Sequence, residues 1–207
     1  MRLLCAADPV GLVVVAAPPD DRDAVAALLA RVLPAAAVRV VAGGESRSRS
    51  VRAALAVLPD EVDVVLVHDA ARPLTPVGLV EAVDAAVRGG HPAVVPALPV
   101  VDTVKAVAPD PDGSGVEEVV GTAERAALRA VQTPQGFRRD TLDQAYAAAE
   151  AEGALDATDD AGLVERLGVP VVVVPGDEQA FKVTRPLDLL LADAVLTLRH
   201  AAHGGSA

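Results

Sequence analysis

The sequence predicts an α/β fold: a mostly parallel sheet with helices on both faces and an inserted β-hairpin arm. Three observations predict it. Continuous β-branched runs alternate with segments of helical spacing, the pattern of strands joined by crossover helices. The apolar stock is almost free of aromatics: 52% of the 207 residues are hydrophobic and 1% aromatic. Val, Leu and Ala must therefore fill the core, and small branched side chains suit parallel sheets buried on both faces. One stretch, 102–132, breaks the rhythm with a turn rich in Asp, Pro and Gly.

The strands are read at Leu12–Ala16, Val38–Ala42, Val62–His68, Ala93–Leu98 and Val169–Val174, each a short unbroken apolar or β-branched run. The first helix, Asp20–Leu33, follows two prolines and offers Asp20 and Asp21 as caps. The same spacing predicts helices over Ser46–Leu58, Pro76–Arg88, Asp140–Glu152, Asp159–Leu167 and Pro186–His200. In the arm, Val104–Val107 and Val116–Val120 flank the turn Pro109–Gly115. Valines on both flanks predict that the arm packs on something, and a second subunit is the natural candidate. The tail after Arg199 is small and polar and is expected to fray. The length suits one domain.

Composition excludes several function classes. A formal net charge of -11 gives no basic footprint for general nucleic-acid binding. A few placed Arg and Lys residues could still grip an anionic substrate. The single cysteine, Cys5, precludes an intrachain disulfide and a cysteine-based zinc site, and fits a reducing cytoplasmic setting. No apolar run reaches membrane-spanning length, and Asp8 and Pro9 interrupt the start where a signal peptide would lie. His68, His91, His200 and His203 lack metal-ligand spacing, and no Gly-x-Ser-x-Gly elbow is present.

Six segments carry residues that could do chemistry. In Val64-Val65-Leu66-Val67-His68-Asp69-Ala70-Ala71-Arg72-Pro73, a strand ends in an acid with an Arg three residues on. Ligands of open α/β sheets collect outside the carboxyl ends of strands, where a carboxylate can hold Mg²⁺ and an Arg can grip phosphate. A helix cap beside a surface Arg fits the same spacing equally well. Gly43-Gly44-Glu45-Ser46-Arg47-Ser48-Arg49-Ser50 lies between a strand and a helix, where glycines admit a ligand close to the backbone. It lacks the Gly-Lys-Ser/Thr element of a Walker loop, and its arginines could simply be solvated. Asp102-Thr103-Val104-Lys105 and Thr122-Ala123-Glu124-Arg125 stand on the two sides of the arm, as an anion clamp or as surface charges. Gln132-Thr133-Pro134-Gln135-Gly136-Phe137 holds hydrogen-bonding groups near a rigid turn. Ala157-Thr158-Asp159-Asp160 reads as a helix cap with acids in the first turn. Phe181-Lys182-Val183-Thr184-Arg185-Pro186 enters the last helix, and Lys182 could reach a phosphate.

In this order and at this spacing, His68-Asp69-Ala70-Ala71-Arg72-Pro73, Asp102-Thr103-Val104-Lys105, Gln132-Thr133-Pro134-Gln135 and Lys182-Val183-Thr184 resemble the 2-C-methyl-D-erythritol 4-phosphate cytidylyltransferase family. The resemblance runs from about Leu12 to Leu198. It implies a Rossmann-like sheet of the nucleotide-diphospho-sugar transferase kind, with the arm exchanging contacts in a homodimer. It implies CTP and methylerythritol phosphate as substrates in non-mevalonate isoprenoid synthesis, with pyrophosphate released by in-line attack on the α-phosphorus. By motif, Gly44, Glu45, Ser50 and Ala70 would bind the nucleotide, and Asp69 would stand beside Mg²⁺. Arg72, Thr103, Arg125, Thr133, Thr158, Lys182 and Thr184 would form the acceptor pocket, Thr103 and Arg125 reaching in from the partner's arm. Asp69, Arg72 and Lys182 would carry the chemistry.

Three departures from the family pattern stand out. Arg49 precedes Ser50 where relatives often carry an acid, and Ala180 stands two before Lys182 where relatives often have Asn. Family members also open with a strand, a glycine-rich loop bearing an Arg and a Lys, and a helix. Met1–Ala7 reads as the end of that helix, which leaves roughly 30 to 45 residues, one strand-loop-helix unit, unaccounted for. The expectation is therefore a single domain over 1–207 without that strand and loop, poorly soluble and nearly inactive until extended upstream. A ribitol 5-phosphate cytidylyltransferase is the alternative within the class, and an inactive binding or regulatory homologue the alternative outside it.

Overall fold

The computed structural model describes residues 1–35, 37–110, 112–155 and 157–204. A four-residue helix, α1 (Arg2–Cys5), precedes strand β1 (Val13–Ala17). Helix α2 (Arg22–Val32) returns the chain to β2 (Val38–Ala42), which pairs in parallel with β1 from Val13↔Val38 to Ala17↔Ala42. Helix α3 (Arg47–Leu55) leads to β3 (Val64–Val67), and α4 (Val77–Arg88) leads to β4 (Ala93–Pro99). The arm is a hairpin of β5 (Lys105–Val107) and β6 (Val119–Thr122), with a register shift between Ala106 and Val107. Then come β7 (Arg129–Val131), β8 (Gln135–Arg138), α5 (Arg139–Ala151), α6 (Asp160–Arg166), β9 (Val171–Pro175) and α7 (Pro186–Gly204).

The central sheet has β4 at its middle. On one edge β9 runs parallel to it from Ala93↔Val171 to Ala97↔Pro175. On the other edge β8 pairs antiparallel at Ala93 and Val94, and β7 pairs antiparallel from Ala97 to Pro99. Strands β7 and β8 are therefore one interrupted strand, broken at Gln132–Pro134. Strand β3 pairs antiparallel with β8 from Val64↔Arg138 to Val67↔Gln135. It follows that β3, β4 and β9 all point the same way, and that β7–β8 is an antiparallel wedge between β3 and β4. The α/β class with parallel crossover strands matches the sequence reading. The wedge departs from it. Its Gln, Thr, Pro and Gly read as a turn, and pairing with two neighbours overrides that local signal.

Both faces of β4 are buried, as its unbroken apolar run demands. Ala93 and Val95 pack with Phe137, Leu142, Tyr146 and Leu163 beneath α5 and α6. Val94 packs with Val83 and Val87 beneath α4. Two of the three aromatics, Phe137 and Tyr146, lie in this core fully buried. Gly136 is required there: a Cβ would come within 2.5 Å of Val83 and 3.0 Å of Val87.

Two expectations are revised by pairing. The stretch 102–132 is not all arm, since Arg129–Val131 joins the central sheet on β4. The third strand is shorter than Val62–His68, because its partner β8 spans only Gln135–Arg138. Among the described residues β1 pairs only with β2 and β3 only with β8, so each presents an open edge. The two edges line one groove of about 850 Å³.

Gly136→Ala should lower stability by about 1–3 kcal/mol through overpacking against α4, measured as a shift of the urea unfolding midpoint. Amide exchange should be slowest in β4, which is bonded on both sides, and distinctly faster along the open edges of β1 and β3.

Candidate active site at the carboxyl end of β3

The chain leaves β3 through His68 and Asp69 and turns back at once, with the Arg72 N–H donating to the Asp69 carbonyl at 2.9 Å. The break in the antiparallel wedge shapes this turn. The peptide Thr133–Pro134 is cis, and the Thr133 hydroxyl lies against the turn. It accepts from the Asp69 N–H at 3.0 Å and lies 3.0 Å from His68 Nδ1. A hydroxyl that accepts there donates its own proton to Nδ1, which leaves the ring proton on Nε2, 3.2 Å from the Arg72 carbonyl it meets. His68 is thus a brace for the turn, in one tautomer.

Three cations gather around the turn. The segment before α7 is tied to it by the Val183 N–H, which donates to the Ala71 carbonyl at 2.7 Å. That bond delivers Lys182 Nζ to 2.7 Å from Asp69 Oδ2. From the opposite side, Arg47 in the first turn of α3 brings Nε to 3.2 Å from Asp69 Oδ1. Burial by itself would raise the Asp69 pKa, but the Lys182 hydrogen bond and the nearby Arg47 charge outweigh it and hold the carboxyl below its ordinary range. Arg72 is the third cation. It is buried, donates to the carbonyls of Ala180 and Val131, and leaves Nε without a partner. Burial pushes its pKa down, and among the described residues no carboxylate lies within ion-pair distance of it. The Asp69 charge opposes this without making an ion pair, and a buried cation so partly compensated is suited to receive an anion.

The loop before α3 is closed by its own side chains. Ser50 Oγ accepts from the Gly44 N–H at 3.1 Å and donates to the Ser46 carbonyl at 2.9 Å, while Ser46 caps the helix by accepting from the Arg49 N–H. A Cβ at Gly44 would meet that of Arg49 at 2.4 Å, so only glycine lets the loop close. Gly44, Glu45 and Ala70 are exposed. Ser50 and Asp69 share the groove between β1 and β3.

The other sequence candidates separate into three groups. Thr133 and Thr184 spend their hydroxyls internally, Thr133 on the turn and Thr184 on Asp188 at the start of α7. Thr158 is exposed beside Asp159, which caps α6 and accepts from Gln135. Thr103 is exposed, and Arg125 donates to the Val101 carbonyl across the base of the arm. No hydrogen bond or ion pair among the described residues joins Thr103 or Arg125 to Asp69, Arg72 or Lys182. Sequence reasoning missed Arg47 and His68. A strand ending in His-Asp with an Arg-bearing glycine loop upstream was the available signal, but only the fold shows that Arg47 is paired rather than solvated.

The arrangement offers one partly buried carboxylate, two cations on it and a third cation with no carboxylate in ion-pair contact among the described residues. That set can hold phosphate oxygens and, through Asp69, a hard cation. Among the described residues no group of three or more His, Cys, Asp or Glu is placed to hold a metal, so a metal here would need phosphate oxygens to complete its shell.

Burial holds His68 below its ordinary pKa, against the pull of the Arg72 carbonyl and the Asp69 charge. The unfolded chain protonates this ring near pH ~6.5 while the folded chain resists. The stability tied to His68 is therefore complete above that pH and is lost as pH falls through the lower folded value. Urea midpoints measured from pH 7 to 5 should decline in the parent chain, and His68→Gln should remove that part of the decline.

Comparison with known proteins bears on this geometry. The profile of the 2-C-methyl-D-erythritol 4-phosphate cytidylyltransferase family matches residues 1–198. A protein of that name from Streptomyces avermitilis is 58% identical over 207 residues, covering 99% of this chain and 81% of its own. The crystal structure of the same-named protein from Thermus thermophilus superposes with a TM-score of 0.74 at 39% identity, covering 93% of this chain and 85% of that one. The crystal structure of 4-diphosphocytidyl-2C-methyl-D-erythritol synthase from Anaerococcus prevotii superposes with a TM-score of 0.82 at 27% identity, covering 95% and 83%. With the Asp69 turn, the wedge and the arm in place, this chain belongs to the 2-C-methyl-D-erythritol 4-phosphate cytidylyltransferase family.

Proposed function

We propose that the chain transfers CMP from CTP to 2-C-methyl-D-erythritol 4-phosphate in non-mevalonate isoprenoid synthesis. Family membership supports the reaction. The observation that carries the site is the convergence of Asp69, Lys182, Arg47 and Arg72 at the carboxyl end of β3. An oxygen of the acceptor phosphate attacks the α-phosphorus of CTP. A new P–O bond forms to the acceptor, the α–β bridging bond breaks, and pyrophosphate leaves. Charge on the phosphoryl oxygens is the main obstacle, so positioning and electrostatic stabilisation are the protein's contribution.

Arg72, with no carboxylate of its own, is suited to the acceptor phosphate. Lys182, half exposed and held by a single ion pair, can swing from Asp69 to a phosphate oxygen. Gly44, Glu45, Ser50 and Ala70 border the nucleotide side, and Thr133, Thr158 and Thr184 border the acceptor side. Asp69 fits Mg²⁺ carried in with the triphosphate, where the ion would neutralise phosphate charge when bound.

The partner in this reading is a second copy of the chain. Val104, Val116, Val119 and Val120 on the arm are exposed, an apolar surface that favours association. Thr103 and Arg125 lie on that arm and would reach an acceptor pocket across the dimer. No helix among the described residues is long and apolar enough to cross a membrane. A cytoplasmic setting accords with the lone cysteine.

Pyrophosphate release should depend on CTP, Mg²⁺ and methylerythritol phosphate together, and ribitol 5-phosphate should support much less. Asp69→Asn should lose activity by about 10²-fold or more with an unchanged circular dichroism spectrum; near-parent turnover would remove Asp69 from the mechanism. Replacing Val119 and Val120 with Asp should yield monomers by light scattering and weaken acceptor binding, whereas a dimer that persists would exclude the arm as the interface.

A further inference from the structure

Arg47 sits between two carboxylates of different character. Its Nε faces Asp69 Oδ1 at 3.2 Å, in the site. Its terminal nitrogen Nη1 lies 2.7 Å from Asp160 Oδ2, an ion pair whose angle departs from good hydrogen-bond alignment. The Asp160 side chain is 0% exposed. Its other oxygen accepts from the Tyr146 hydroxyl at 2.6 Å, and Tyr146 is itself fully buried between α5 and α6. Arg47 is the only cation in ion-pair contact with Asp160 among the described residues. If the guanidinium left, a buried carboxylate would lose its counter-charge, which proteins tolerate poorly. Arg47 is therefore held from behind.

Lys182 is held differently. Its side chain is 47% exposed, and among the described residues its ion pair is with Asp69 alone. Of the two cations on Asp69, one is anchored in the core and the other is free to move toward a phosphate. When Lys182 moves, Arg47 is the ion-pair partner that remains on Asp69 among the described residues.

We infer that Arg47 is a positioning residue for Asp69, anchored by the buried Asp160–Tyr146 pair of α6 and α5. The core helices thereby set the aim of a carboxylate on the far side of the sheet end. The inference rests on the proposed function and adds to it two buried residues, Tyr146 and Asp160. Loss of a group that orients a reacting or metal-binding one typically costs about 10–100-fold.

The test uses Arg47→Gln, Arg47→Lys and Tyr146→Phe in the full chain, with kcat and KM measured separately for each substrate. Arg47→Gln should lower kcat by about 10–100-fold with both KM values nearly unchanged, and Arg47→Lys should recover part of the loss. Tyr146→Phe, which removes one buried oxygen, should lower kcat in the same sense. The double variant should be no worse than Arg47→Gln, since both act through one chain of contacts. A raised KM for CTP with unaltered kcat would make Arg47 a nucleotide-binding group and overturn the inference. So would unchanged kinetics in folded Arg47→Gln, or losses that simply multiply. A second readout needs no turnover: the carboxyl carbon resonance of Asp69 in labelled protein. It should be a single sharp line in the parent and shift or broaden in Arg47→Gln and Tyr146→Phe. If the parent released no pyrophosphate, the proposed function would fall, and this line alone would decide the role of Arg47.

Discussion

The structure depends on one pairing, the antiparallel wedge β8 set between β3 and β4. Strands β3 and β4 belong to successive crossover units and would pair directly in a simple doubly wound sheet. The wedge separates them and is bonded to both. It can enter only because Gly136 has no side chain where α4 crosses with Val83 and Val87. On the opposite face its residues organise the core: Phe137 fills it under α5, and Gln135 reaches α6.

The same wedge builds the site from its amino end. Gln135, almost fully buried, donates to Asp159 and accepts from the Ala161 N–H. These bonds fix the start of α6 and hence the location of Asp160. Gln132 exchanges two bonds with Asp177, its side chain donating to the carbonyl at 2.8 Å and accepting from the N–H at 3.0 Å. That clasp fixes the segment leading toward Lys182. Thr133, between them, braces the Asp69 turn. A stretch that looks on paper like a set of ligand groups is mostly a set of fasteners, and the ligand groups are what it fastens.

Electrostatics explains how a chain of net charge -11 can handle highly anionic substrates. Arg47, Arg72 and Lys182 come from three separate segments and meet at one strand end, while acidic residues are spread over the surface. A cation in a partly buried site is screened less than an exposed one. Local placement therefore outweighs overall charge, and the low pKa of Asp69 records the same field from the other side.

The fold class was legible from the sequence by itself, because the alternation of apolar runs with helical spacing reflects burial that any crossover sheet requires. The end of β3 was legible for the same reason: a Val-rich run that stops at an acid marks where a strand leaves the sheet. So was the family, through the order of its short motifs. The antiparallel wedge was not, since its pairing comes from neighbours distant in sequence and its Gln-Gly-Phe-Arg text carries no strand period. Nor was the role of Arg47. Whether an arginine is solvated or bound depends on which carboxylates the tertiary structure brings to it, and Asp69 and Asp160 lie 22 and 113 residues further along. Local periodicity is written in consecutive residues, whereas a charge network exists only once the chain has closed on itself.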